Sequence, residues 1–265
     1  MIAYIRAQES LRPDALFHDP LAALLHGAEG AAIARRMGRA PVLPLIVRTW
    51  LFDRMIEDAV AAGADTVLNL AAGLDTRPYR MALPAGLRWI EIDLPDLMAE
   101  KSAALADATP SCRLERIPLD LGDTAARQTA FTRIGASANR VLVVSEGFLS
   151  YLPADEVAAL ARDLAAPPAF QTWLLELNSP GVLRAMQKRY ATELKAAPMH
   201  FAPAEGPGFF IPHGWAPVEV RSFLRTAVQL GRAGMLMRLL ARRPESSGAQ
   251  GARFWTGACR FMRKE

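Results

Sequence analysis

Four residues, Gly73, Asp93, Asp120 and Glu146, close successive apolar runs, where a folded chain could gather them around one ligand. The stretch from Ala64 to Lys101 reads ADTVLNLAAGLDTRPYRM and then, after a short connection, LRWIEIDLPDLMAEK. In open α/β sheets ligands lie beyond the carboxyl ends of the strands. Gly73 can therefore lie under a nucleoside while Asp93 accepts hydrogen bonds from its ribose hydroxyls. Asp120, in ERIPLDLGD, suits an adenine amino group, which must donate a hydrogen bond if buried. Glu146, in VLVVSEGFLSYLP, can pair with an ammonium. Taken singly, each has a plainer use as a turn glycine, a helix-capping acid or an ion-pair glutamate. A single crevice explains all four together. The turn lacks the full GxGxxG pattern and offers a poor cradle for a pyrophosphate. The residues therefore suit S-adenosylmethionine, a nucleoside with an amino acid tail, better than NAD.

The elements that must position these residues follow from periodicity. Apolar residues from Leu45 to Ala62 recur at helical spacing, and Gly63 follows as the C-cap signal. Strands are expected at Thr66 to Ala71, Leu87 to Asp93, Cys112 to Pro118, Val141 to Val144 and Thr172 to Leu177, with helical segments between them. That alternation predicts a parallel, doubly wound α/β sheet. Residues 216–231 read as a strand fragment or a helix start followed by an amphipathic helix, ARRPESSGAQGA at 241–252 as a polar loop, and GARFWTGACRFM as a last strand. A terminal hairpin through that loop would close the sheet with an antiparallel edge. Residues 178–215, with five prolines among aromatic residues, read as a cap over the site. The expected organisation is a single domain over 1–265, with a helical segment at 1–62, a cofactor-binding core at 63–177, the cap at 178–215 and closing elements at 216–265.

Composition sets the remaining bounds. A chain of 265 residues that is 51% apolar can bury a sizeable core. The formal charge of +4 is small, nearly all the basic residues are arginine, and they nowhere run beyond pairs such as Arg242 and Arg243. Nucleic acid is not an expected partner. Cys112 and Cys259 lack a CxxC or His-paired spacing, which argues against a metal centre or a disulfide framework and suits a reducing cytoplasm. No apolar stretch reaches membrane-spanning length, and the first residues carry charge, so neither a signal peptide nor a membrane partner is expected.

The motifs NLAAGLDTRPYRM, EIDLPDLMAEK, IPLDLGD and SEGFLSYLP, in this order, resemble the leucine carboxyl methyltransferase family, whose bacterial branch includes tailoring enzymes of secondary metabolism. AYIRAQESLRPDALFHDPLAALLHG is similar to that family's opening arginine segment and DP motif, and IVRTWLFDRMI to the helix before its first strand. The likeness covers residues 1 to about 155 well and the rest loosely. It implies a class I, Rossmann-like methyltransferase fold with a mostly parallel seven-stranded sheet and S-adenosylmethionine as cofactor. It also implies that Arg48 binds the cofactor carboxylate, Gly73 with Asp75 approaches its amino acid part and Asp93 with Leu94 holds the ribose. Asp120 and Leu121 would hold the adenine, and Glu146 the methionine end. Arg6 matches a basic position near the substrate mouth, where a solvated arginine is the alternative.

The acceptor is left open. A carboxylate is already ionised near pH 7 and needs no base, only a partner such as Arg48, Arg6 or Tyr151 to orient it. A hydroxyl needs a base. His18 and His26 read as structural, whereas His200 and His213 fall in the cap. A small-molecule acceptor with carboxyl O-methylation is the leading expectation, for a monomer or homodimer. Hydroxyl O-methylation and a catalytically silent cofactor-binding scaffold are the alternatives.

Overall fold

The apolar runs become strands close to where periodicity puts them: β1 (Thr66–Leu70), β2 (Arg88–Asp93), β3 (Arg113–Pro118), β4 (Val141–Ser145) and β5 (Phe170–Asn178), followed by β6 (Trp215–Ser222) and β7 (Thr256–Arg263). The computed structural model describes residues 1–38, 40–195, 197–242 and 253–264. The polar loop expected at 241–252 falls, from 243 onward, outside the described residues. The strands form one seven-stranded sheet in the order β3-β2-β1-β4-β5-β7-β6. The chain divides into two compact units, Met1–Val144 and Ser145–Glu265.

In the first unit β1 pairs in parallel with β2, and β2 with β3. β1 is buried at every residue, as expected for a parallel strand covered on both faces. β3 lies at the sheet edge and carries Arg113, Glu115 and Arg116, charges that discourage pairing with another chain. The helices of this unit are α1 (Ile2–Ser10), α2 (Ala22–Leu25), α3 (Gly27–Met37), α4 (Val42–Ala61), α5 (Arg77–Arg80), α6 (Pro95–Ala104) and α7 (Thr124–Ala136). The long apolar helix before β1 is α4, three residues longer at its start than periodicity indicated. It stops because Gly63 turns left-handed at φ +98°, with its N–H on the Val60 carbonyl and the Ala64 N–H on the Ala59 carbonyl. That pair of bonds is the Schellman closure that glycine favours.

The second unit contains α8 (Ala154–Ala165), α9 (Pro180–Arg189), α10 (Phe223–Gln229) and α11 (Met235–Leu240). Its core is aromatic. Trp173 of β5 meets Phe210, Trp215 and Phe261 with ring centroids at 5.2, 5.4 and 6.5 Å. The Trp215 indole N–H is satisfied by the Ala161 carbonyl at 2.9 Å. The inserted segment after β5 has two different parts. Its 3₁₀ stretch Gly206–His213 sends Phe210 into this core, while α9 starts at the carboxyl end of β5.

The carboxyl-terminal arrangement corrects the expected hairpin. β7 is antiparallel to both β5 and β6 and lies between them, so the antiparallel strand is internal and β6 is the edge. The connection from β6 runs through α10 and α11, which lets β7 return inside β6. Gly257 makes the insertion possible, because a Cβ there would stand 2.6 Å from the Arg221 carbonyl oxygen and 2.8 Å from the Trp255 ring. Gly257→Ala should therefore cost about 1–3 kcal/mol by overpacking. Urea unfolding at equilibrium checks this, and an unchanged midpoint would show that the strands can separate to admit a methyl group.

Candidate active site

The turn after β1 winds through two left-handed residues, Ala71 and Gly73, each at φ +49°. An alanine in that region is strained and persists only where its surroundings fix it. The fixing groups are close. The Ala72 N–H donates to the Ile92 carbonyl at 3.2 Å, and the Gly73 N–H donates to Asp93 Oδ2 at 2.6 Å. Asp93 Oδ1 accepts the Leu94 N–H at 2.8 Å. Asp93 thus stands at the end of β2 beside the glycine turn, with one backbone N–H on each oxygen and lone pairs left over on both. Leu94 beside it is half exposed. A Cβ on Gly73 would meet nothing nearer than the Ala71 carbonyl oxygen at 4.0 Å, so the turn presents open backbone. Open backbone beside an acid with acceptor capacity fits the ribose and amino acid part of a nucleoside cofactor.

The loop after β3 is tied to the same place. The Leu119 N–H donates to the Asp93 carbonyl at 2.8 Å, and Asp120, two residues beyond the strand, is exposed with Oδ1 on the Gly122 N–H at 2.8 Å. Leu121 is buried, and its carbonyl accepts from Arg127 at 2.7 Å. The structure therefore brings Gly73, Asp93 and the Asp120 loop together at the carboxyl ends of β1, β2 and β3. Arg48 is buried on α4.

Asp75 faces inward, under the turn. Its carboxylate accepts Asn69 Nδ2 at 2.8 Å, the Arg77 N–H at 2.9 Å and Arg77 Nη1 at 2.8 Å. Burial pushes this carboxyl up, but the charges of Arg77 first, then Lys101, Arg6 and Arg80, outweigh it and hold it well below the ordinary carboxylate range. The unfolded chain takes up this proton near an ordinary carboxylate pKa, about 4. Asp75 therefore stabilises the fold above that pH and ceases to do so as the pH falls toward its depressed folded value. Wild type and Asp75→Asn, compared by urea unfolding from pH 7 to 3, should differ most at pH 7, with the gap narrowing once the pH falls below about 4. A constant gap would remove the ionised role.

Arg6 is the residue whose surroundings differ most from expectation. Instead of a solvated arginine it is 8% exposed, with Nε on Asp19 Oδ2 at 2.7 Å and Nη2 on the Leu74 carbonyl at 2.5 Å. Around it lies a buried network that sequence reasoning missed. Asp53 of α4 takes Arg77 Nε at 2.7 Å and both terminal nitrogens of Arg80 at 2.7 and 2.8 Å. Asp19 of the DP pair also accepts the Thr76 hydroxyl at 2.6 Å. Three arginines and three aspartates thus balance beneath the turn. The available signal was the pair Arg77 and Arg80, three apart on a four-residue helix that carries no acid of its own.

In the second unit Glu146 follows β4 directly, half-buried, and Gly147 after it turns left-handed at φ +72°. Tyr151 ends the 3₁₀ turn Leu149–Tyr151 and is 40% exposed. The Ser150 carbonyl in that turn accepts the His200 and Phe201 N–H groups at 2.7 and 3.1 Å, and Asn178 Nδ2 donates to Ser150 Oγ at 3.3 Å. Tyr151 and His200 are thereby held near Asn178, the carboxyl end of β5. His213 is not. It immediately precedes β6, whose Ala216 pairs with the same Met262 that faces Thr172 near the start of β5. That is the amino end of the strand. Its Nδ1 lies 3.4 Å from Arg162 Nη1, and burial together with that charge lowers its pKa. Spacing along the sequence carries no information about which end of the sheet a cap residue reaches. Among the described residues no group of three metal-ligating side chains could hold an ion.

A seven-stranded sheet in this order, with one internal antiparallel strand and a glycine turn beside an acid at β2, has the architecture of a class I methyltransferase. Solved structures of that fold overlay on the chain. A methyltransferase, provisionally so named, from Thermobifida fusca matches with a TM-score of 0.61 at 17% identity, covering 92% of this chain and 93% of that one. A DUF574 family protein from Streptomyces avermitilis matches at 0.59 and 16% identity, covering 99% and 97%. The family profile of leucine carboxyl methyltransferase matches residues 1–165, and the chain belongs to that family. A protein of Frankia alni, provisionally named an S-adenosyl-L-methionine-dependent methyltransferase, is 36% identical over 255 residues, covering 87% of this chain and 86% of its own. A Streptomyces coelicolor protein of the same provisional name is 32% identical over 245 residues, with the same coverage.

Proposed function

We propose that this S-adenosylmethionine-dependent methyltransferase converts a carboxylate of a small molecule, of the kind made in secondary metabolism, to its methyl ester. Membership of a family described by carboxyl methylation carries the reading. The placement of the histidines supports it. His213 lies at the amino end of β6, and His26 is engaged through Nδ1 with the Gly27 carbonyl at 2.8 Å and edge-on with Tyr4. Of the two histidines expected in the cap, His200 is the one tied to the carboxyl end of β5, through its main chain.

The cofactor, when bound, supplies an activated methyl group on a sulfonium. In this reading Gly73 admits its amino acid part against open backbone, Arg48 meets its carboxylate, Asp93 takes the ribose hydroxyls, and Glu146 meets the ammonium. Asp120 and Leu121 hold the adenine. An ionised carboxylate acceptor brings its own nucleophile, so the chain has to exclude water and orient one oxygen in line with the methyl group. Tyr151, 40% exposed and next to Ser150, whose carbonyl holds the His200 main chain, is the orienting group this reading assigns in the second unit. The reading includes a monomer or homodimer acting in the cytoplasm, without a nucleic acid or membrane partner. Cys112 and Cys259 as buried free thiols are in keeping with that compartment, and no helix among the described residues is long and apolar enough to cross a membrane.

The test is the linkage of the transferred methyl. With methyl-labelled cofactor and a panel of carboxylic acids and phenols, label that mild alkali releases as methanol marks an ester. Alkali-stable label on a phenol or alcohol would replace the carboxyl reading with hydroxyl methylation. A chain that binds the cofactor yet labels neither class would favour a silent scaffold.

A further inference from the structure

We infer that Arg6 and Asp19 are positioning residues that set the geometry of the cofactor turn through the Leu74 carbonyl and the Thr76 hydroxyl. The inference rests on the cofactor assignment of Gly73 and Asp93 and is independent of which acceptor is methylated. Four consecutive residues of the turn are each held by a different partner. Gly73 donates its N–H to Asp93 at 2.6 Å, and the Leu74 carbonyl accepts Arg6 Nη2 at 2.5 Å. Asp75 is bound by Asn69 and Arg77, and the Thr76 hydroxyl donates to Asp19 Oδ2 at 2.6 Å. Two of these four holds, at 74 and 76, come from the first twenty residues of the chain.

The two holds are one device. Arg6 Nε and Thr76 Oγ1 share the same oxygen of Asp19, while the other oxygen takes the Ala22 N–H at 3.1 Å and so fixes the carboxylate to the start of α2. Asp19 is 1% exposed. Bonds to a buried ionised group keep their strength and directionality where exposed ones do not. Arginine suits the place because Nε and Nη2 point to two acceptors at once, a carboxylate and a carbonyl, whereas a lysine ammonium has one nitrogen to divide between them. The strained conformation of Ala71 needs such over-determination. With the Leu74 carbonyl released, the Gly73 N–H and the Asp93 carboxylate lose their fixed relation, and it is this pair that meets the cofactor. Arg6 on this account never touches the acceptor.

Arg6→Lys, Asp19→Asn and Thr76→Val in the full chain, with Arg54→Ala in the exposed Arg54–Glu57 pair as control, test this by calorimetric titration with S-adenosylhomocysteine beside thermal unfolding. Each of the three should bind about tenfold or more weakly while still unfolding cooperatively. Arg6→Lys combined with Asp19→Asn should be little worse than the weaker single variant, since both cut one link. The control should bind as wild type. Lowered thermal midpoints with unchanged affinity would reduce the device to ordinary stabilisation and overturn the inference. So would unchanged affinity with a raised KM for the acceptor, which would return Arg6 to the substrate. Should the two charge variants fail to fold, Thr76→Val decides alone, because it removes only a hydroxyl, and wild-type affinity there overturns the inference. Wild-type protein that binds no S-adenosylhomocysteine would instead sink the cofactor reading on which this rests.

Discussion

Asp93→Ala is expected to weaken S-adenosylhomocysteine binding by about a hundredfold or more in a protein that still folds. The carboxylate does two jobs at one place. It fixes the turn, with Oδ2 on the Gly73 N–H at 2.6 Å and Oδ1 on the Leu94 N–H at 2.8 Å. Its remaining lone pairs are the ones the proposed reading gives to the ribose hydroxyls. Hydrogen bonds to a charged group contribute about 1.5–3 kcal/mol each, so losing two ribose contacts alone approaches the stated effect. The loosened turn adds to it. Asp93→Asn keeps one carbonyl acceptor and should fall between alanine and wild type. Calorimetric titration measures all three, and wild-type affinity in folded Asp93→Ala would take this acid out of the site.

Asp53→Ala should produce the largest loss of stability in the first unit, about 3–5 kcal/mol, the range for breaking a buried ion pair from one side. This one carboxylate receives Arg77 Nε and both terminal nitrogens of Arg80, and all three side chains are at most 5% exposed. Its removal leaves two guanidinium groups facing each other in the interior. In a chain of this size that corresponds to a fall in thermal midpoint on the order of 10 °C. The triple change Asp53→Leu, Arg77→Met, Arg80→Met should recover part of the loss, because it removes the buried charges along with their partner. A loss below about 1 kcal/mol in Asp53→Ala would mean that water reaches the network.

These two predictions differ in how far the sequence alone could have supported them. Asp93 was legible because it ends a run, WIEI, whose continuous burial is what a central parallel strand requires. The same logic located Gly73, Asp120 and Glu146, three, two and one residues past the ends of their strands. Asp53 was not legible. Its partners lie 24 and 27 residues away, and nothing in α4 marks that acid as buried rather than one more polar turn of an amphipathic helix. The burial of Arg6 was hidden for a related reason, since its partners are at 19 and 74 and arginine is solvated by default. The place of His213 was hidden by topology. Periodicity finds elements, but which end of the sheet a connecting residue reaches depends on the return path of the chain. The insertion of β7 between β5 and β6 depends on a steric allowance at Gly257, which has no periodic signature.

That insertion also orders events during synthesis. Among the described residues β6 has no strand neighbour other than β7, and residues 223–255 must be made between them. At about 5–20 residues per second the edge strand leaves the ribosome and waits some seconds with its backbone groups unpaired. Strands β2 and β3 meet no such delay, because each pairs with the strand just before it in the chain. The nascent chain is therefore most exposed to proteases and to mispairing late in its synthesis. A nascent chain stalled before Thr256 would carry a folded first unit and a second unit still missing its central seam.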